Sequence, residues 1–172
     1  NITFGDIDKK PTKESIDAAT EAAEAKEMIS ELPRGLDTPA ATWFEEEEGT
    51  QLSGGQWQRT ALGRNFYRQA PVVILDEPTS AIDASAEASI FDRLFDRKNK
   101  NTVITISHRL TTIENANIIY VFKHGNIVQQ GLHEELSKDR NGEYFKMFRR
   151  QLKNSWAYTS AQFRRHPSAG WD

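Results

Sequence analysis

The sequence contains no cysteine. Disulfides and thiolate-ligated metals are thereby excluded, and a reducing compartment is suited. Long apolar runs are also missing. Ile118-Ile119-Tyr120-Val121-Phe122 is among the longest, whereas a helical membrane span needs ~20 such residues. The first residues show no cleavable leader pattern, so any membrane would be entered by another segment or chain. Positive charge is not in excess, and the net charge of -3 gives no basis for a nucleic-acid partner or a polybasic membrane surface. No internal repeat is visible, and no Gly-x-x-x-x-Gly-Lys-Ser/Thr loop of the kind that cradles phosphates occurs. What is present is the composition of a soluble globular chain, 37% hydrophobic and 27% charged over 172 residues. That is enough for one domain, or for one small lobe beside part of a larger one.

The chain opens at Asn1-Ile2-Thr3-Phe4-Gly5-Asp6 without a methionine and in mid-pattern, as a cut fragment would. A helix is expected over about 13–32, where Ala18, Ala22, Ala25 and Ile29 share a face. Thr12 and Glu14 suit a capped first turn, and Pro33-Arg34-Gly35 stops the helix. The stretch to Thr50, with Glu45-Glu46-Glu47-Glu48, is expected to be loop. A second helix, from Ser53 to about Gln69, would bury Trp57, Ala61, Leu62 and Phe66. Val72 to Leu75 is an unbroken apolar run, the pattern of a strand covered on both faces in a parallel sheet.

An amphipathic helix over about 85–96 turns Ile90, Phe91, Leu94 and Phe95 inward, and 102–106 is the next buried strand. Segments 118–122 and 127–130 form a hairpin across Lys123-His124-Gly125-Asn126. Short helices near 133–137 and 142–152 close the folded part. Strands alternating with helices give an α/β fold with right-handed crossovers. The expected division is 1–70 for a helical lobe that includes the second helix and 71–152 for the sheet-bearing part. Residues 153–172 are expected to be a mobile tail, despite Trp156, Tyr158, Phe163 and Trp171.

Asp76 and Glu77 end the first apolar strand, and ligands bind at the carboxyl edge of a parallel sheet. Successive strand residues point to opposite sides, so the two carboxylates can take different tasks. The first suits Mg²⁺ as a hard oxygen ligand; the second suits a general base acting on an attacking water. A solvated turn before Pro78 has the same residues, so the pair decides nothing alone. Ser53-Gly54-Gly55 at a helix start aims N–H groups and the positive end of the dipole outward, an anion site suited to phosphate. An ordinary capped helix start also looks like this. His108 follows the strand 102–106 and could hydrogen-bond a terminal phosphate; a surface histidine is the plainer reading. His124, His133 and His166 have no such placement.

In their order along the chain, three segments resemble the ATP-binding cassette (ABC) family: Leu52-Ser53-Gly54-Gly55-Gln56, then Leu75-Asp76-Glu77-Pro78-Thr79-Ser80-Ala81-Ile82-Asp83, then Ile106-Ser107-His108-Arg109-Leu110. The first matches the family signature in full. Residues 72–77 match its Walker B strand, Ser80 to Asp83 its D-loop with Ile82 where Leu is usual, and His108 its switch histidine. The resemblance spans 1–152, and Gly131, His133, Glu134, Glu135, Leu136 and Tyr144 are similar to the subgroup fused to exporter membrane domains.

The resemblance implies a helical lobe and the C-terminal half of a P-loop NTPase (RecA-like) core, lacking the Walker A phosphate loop. It implies a parent protein that binds ATP and Mg²⁺ and hydrolyses ATP to drive export at the cytoplasmic face of the cell membrane, with a transmembrane domain. Two such cassettes would face head to tail. Leu52, Ser53, Gly54, Gly55 and Gln56 would then bind the nucleotide held by the partner's phosphate loop. Asp76 as metal ligand, with Glu77 and His108 as catalytic groups, would serve the nucleotide on this subunit's own loop. Asp83 would communicate across the interface. The phosphate loop, the adenine-stacking aromatic and the glutamine loop are expected ahead of Asn1, so the isolated chain is expected to be inactive. Two other readings stay open. One is the C-terminal half of a split ATPase head of chromosome-maintenance type, although no sustained heptads mark a coiled coil ahead of the signature. The other is a non-catalytic chain that completes or regulates a partner's cassette.

Overall fold

Thr12 starts the first helix, α1 (Lys13–Ala22), in the computed structural model, which describes residues 1–40, 49–96 and 101–150. Its hydroxyl accepts the N–H of Ser15 and the Ser15 hydroxyl accepts that of Thr12, so the capping partner is Ser15 rather than Glu14. The helix expected over 13–32 is in fact two helices. α1 ends at Ala22 and α2 (Lys26–Ser30) follows, because Glu24 adopts a left-handed backbone with φ 51. The Ala25 N–H reaches back to the Thr20 carbonyl at 2.8 Å and the Glu24 N–H to that of Glu21 at 3.1 Å, a paired closure that ends many helices. Glycine is usual at such a position. Here the Glu24 carboxylate pairs with Arg93 at 2.7 Å, and Arg93 also donates to the carbonyls of Glu21 and Ala22. A cation on the last carbonyls of a helix complements its dipole.

α3 (Gly54–Arg68) is capped by Ser53 and stops at Gln69, whose φ is 54. Leu62 and Tyr67 are buried with Thr60 and Gly63, whereas Trp57 and Ala61, expected inward, are exposed. The buried stripe is displaced because α3 serves two neighbours. One side packs on α1 and on the short 3-10 turn Ile2–Gly5, and the other packs on the loop 77–83.

β1 (Val72–Asp76) pairs in parallel with β2 (Thr102–Ile106), Val72 opposite Thr102 and Asp76 opposite Ile106. Cover on both faces is not found among the described residues. Val73 is 5% exposed, but Val72, Ile74, Ile104 and Ile106 are 54%, 70%, 49% and 56% exposed. α4 (Ala84–Leu94) returns across the covered side, and its Ile90, Phe91 and Leu94 form one core with Ala23, Ala25, Met28, Leu62 and Ile82.

Two compact units result, Asn1–Ser107 and a second beginning at His108. The second holds α5 (Leu110–Ile113), the antiparallel pair β3 (Ile119–Lys123) and β4 (Asn126–Gly131), α6 (His133–Leu136) and α7 (143–150). The hairpin turn is tighter than expected. Lys123 pairs with Asn126 across His124 and Gly125, whose φ values of 52 and 79 match the twist of the strands. Ile119, Val121, Leu136 and Tyr144 form its core. The Tyr144 hydroxyl lies 2.7 Å from His133 Nδ1, and burial, then the charge of Glu114, pushes its pKa up. The acidic run 45–48 and the tail 153–172 lie outside the described residues.

Candidate functional site

The start of α3 is built from its own first residues. The Ser53 hydroxyl accepts the Gln56 N–H at 3.3 Å, and the Gln56 side-chain oxygen accepts the Ser53 N–H at 2.8 Å. Leu52, at 9% exposed, anchors the entry. Helix geometry leaves the N–H groups of Gly54 and Gly55 without an intrahelical acceptor, at the positive end of a 15-residue helix. The two glycines are unequal. A Cβ on Gly55 would stand 2.5 Å from the Ala81 carbonyl oxygen, so this residue is glycine because helix and loop meet backbone to backbone. Among the described residues, a Cβ on Gly54 would meet nothing nearer than the Ala81 Cβ at 3.9 Å. Packing among the described residues therefore does not require glycine at 54, and the helix start there is exposed.

Asp76 is the exposed last residue of β1. Glu77 follows with its N–H on the Ile106 carbonyl at 2.9 Å and with φ 46. A left-handed backbone at a residue other than glycine costs ~1–3 kcal/mol, and such strain gathers at functional sites. It also takes Glu77 out of the strand's alternation, so the direction of its side chain does not follow from the two-residue period.

The loop after it is held at several points. Thr79, 2% exposed, donates to the buried Glu87 carboxylate at 3.1 Å. Gln58 donates to the Ser80 hydroxyl at 2.6 Å and to the Glu77 carbonyl at 3.4 Å, and accepts the Ala81 N–H at 2.8 Å. Asp83 caps α4 by accepting the Ala86 N–H at 3.0 Å and pairs with Arg59 at 2.8 Å.

Gln58 and Arg59 are the residues that sequence reading missed. The signal for them was spacing: 55, 58, 59 and 62 share one helix face, and that face meets the carboxylate loop. His108 lies two residues beyond β2, is exposed, and opens the second unit.

The Ala86 N–H, and after it Arg59, hold the Asp83 carboxyl below its ordinary value of 3.8. Lys123 and Lys146 do the same for Glu143 in the second unit. A depressed folded pKa gives stability that is present above the unfolded value and lost as pH falls through the folded one. Asp83→Asn is therefore expected to be less stable than the wild type near neutrality, with the gap closing below about pH 4. Urea midpoints of the two proteins across that range check this. A gap that widens in acid contradicts the assignment.

The profile of the family described as ABC transporter matches residues 4–80. The ATP-dependent lipid A-core flippase of Haemophilus influenzae is 45% identical over 152 residues, 88% of this chain and 25% of that protein. The chain belongs to the ABC transporter family. A further relative, ABC transporter B family member 21 of Arabidopsis thaliana, is 41% identical over 151 residues, covering 88% of this chain and 11% of that protein. Among solved structures, a bacterial Atm1-family ABC exporter with ATP bound shares 34% identity at a TM-score of 0.75, over 87% of this chain and 25% of that one. The chain thus spans about a quarter or less of the length of these ABC proteins. The expected fold class, a P-loop NTPase-type α/β core with a helical lobe, is the one matched. No helix among the described residues is long and apolar enough to cross a membrane.

Proposed function

We propose that this chain is the signature-bearing and Walker B-bearing part of an ABC cassette that hydrolyses ATP. In this reading the cassette works at the cytoplasmic face of the cell membrane and powers export through a transmembrane domain. Residues 1–70 are read as the helical subdomain, 71–152 as the C-terminal part of the ATPase core and 153–172 as a tail. One observation carries the proposal: the exposed helix start at Gly54 is fastened directly to the loop that presents Glu77.

The roles follow from the chemistry of each group. The N–H groups of Gly54 and Gly55 and the Ser53 hydroxyl accommodate the terminal phosphate of a nucleotide held by a facing cassette. Glu77 takes a proton from the attacking water on its own subunit's nucleotide. His108 hydrogen-bonds the terminal phosphate, and Asp83 lies where the two cassettes meet. Asp76 is read as a ligand of Mg²⁺. The donor fits that ion: Asp76 offers a hard carboxylate oxygen exposed at the end of β1, and Mg²⁺ keeps several waters and needs only one or two carboxylates beside phosphate oxygens. Bound there, Mg²⁺ supplies charge neutralisation on the phosphates.

Mixed dimers of full cassettes, one subunit carrying Ser53→Arg, test the head-to-tail arrangement. ATP-driven closure across the altered signature is expected to be lost, because a bulky cation displaces the capping hydroxyl and obstructs the phosphate. ATP binding to the altered subunit's own phosphate loop is expected to persist. Loss of binding on that subunit, with the partner's site intact, overturns the arrangement.

A further inference from the structure

We infer that Gln58 is a positioning residue for hydrolysis, its carboxamide setting the backbone of the loop that carries Glu77. The inference rests on the reading of Glu77 as general base. Three contacts support it, and together they use both ends of one amide group. The side-chain nitrogen donates to Ser80 Oγ at 2.6 Å and to the Glu77 carbonyl at 3.4 Å, while the side-chain oxygen accepts the Ala81 N–H at 2.8 Å. An amide oriented by a backbone N–H on one side and a carbonyl on the other has only one way round that satisfies both.

Glu77 needs such a holder, because its left-handed φ of 46 is a conformation that surrounding contacts must impose. The fixture is rigid on the side of α3. Gly55 lies against the Ala81 carbonyl, and Arg59 grips Asp83 at 2.8 Å, so residues at i, i+3 and i+4 of one helix hold the loop along its length. A shift of the signature helix is thereby transmitted to the carboxylate loop through hydrogen bonds within one subunit. A base displaced by about an ångström can lose about a hundredfold in rate while substrate binding is unaffected.

The test uses Gln58→Leu, which keeps bulk but removes all three contacts, and Gln58→Glu, which still accepts from Ala81 N–H but cannot donate to the Glu77 carbonyl. Both are placed in a full cassette beside Glu77→Gln. Gln58→Leu is expected to lower kcat by about tenfold to a hundredfold with KM for ATP within about twofold of wild type, and Gln58→Glu to fall between the two. If Gln58→Leu turns over at the wild-type rate while Glu77→Gln is inactive, the positioning role is wrong and the base assignment stands. If Glu77→Gln itself turns over at the wild-type rate, the base assignment fails and this inference with it. Amide exchange on the 172-residue chain supplies a readout independent of assembly. Gln58→Leu is expected to speed exchange at Ala81 and its neighbours in the loop, and unchanged exchange there overturns the proposal.

Discussion

A full cassette carrying Glu77→Gln is expected to bind ATP as the wild type does and to hydrolyse it at least about a hundredfold more slowly. The amide keeps the size of the side chain and its capacity to hydrogen-bond but cannot hold the proton of an attacking water, and a positioned base contributes ~10²–10⁴-fold. The backbone at Glu77 is fixed by the Ile106 carbonyl and by Gln58, so the substitution leaves the loop where it is. Asp76→Asn separates the roles of the two carboxylates: it is expected to weaken the Mg²⁺ dependence of nucleotide binding, a property Glu77→Gln leaves alone. Single-turnover hydrolysis and equilibrium binding of ATP, with and without Mg²⁺, distinguish the variants. Turnover by Glu77→Gln within a factor of two of wild type removes Glu77 from its assigned role.

Gly55→Ala and Gly54→Ala are expected to part company in stability, although they are neighbours in the same pentapeptide. Alanine is favoured over glycine inside a helix by up to about 1 kcal/mol, and at Gly54 no described residue opposes that gain, the nearest such atom being the Ala81 Cβ at 3.9 Å. At Gly55 the new methyl meets the Ala81 carbonyl oxygen at 2.5 Å. That atom is backbone and cannot rotate away, so helix and loop must separate. Overpacking of this kind costs ~1–3 kcal/mol. Offset by the helix preference of alanine, the net expectation is a loss of about 1 kcal/mol, or about 2–4 °C in Tm for a chain of this size, with Gly54→Ala unchanged or slightly raised. Thermal unfolding of the two chains side by side measures it. Equal melting temperatures contradict the close approach of α3 to the loop.

The elements were legible where a single chemical pattern governed them. The strand 72–76 is legible from the apolar run 72–75, 102–106 as the next strand of an alternating strand–helix order, α4 from its inward face, and the start of α3 from Ser53 ahead of two glycines. The break at Glu24 was not legible, because what holds a non-glycine residue in the left-handed region is Arg93, far away in sequence. The two glycines of the signature read alike, and only the position of the Ala81 carbonyl tells them apart. A helical period with one neighbour turns Trp57 and Ala61 inward, whereas α3 has neighbours on two sides and leaves both exposed. The motif residues were legible as a set through resemblance. The hydrogen bonds that join Gln58 and Arg59 to the loop belong to tertiary structure, which spacing along the chain points toward without fixing.

The uncovered face of β1 and β2 has a practical side. Val72, Ile74, Ile104 and Ile106 each leave about half or more of their surface in water, and they do so on a two-stranded sheet, side by side. A contiguous patch of this kind rewards any collision that dries it. Strongly hydrated anions such as sulfate increase that reward by being excluded from protein surface. Preparations of the chain are therefore expected to salt out earlier than its composition suggests, and exchanging one patch residue, Ile74→Thr, is expected to raise the sulfate concentration at which they do so.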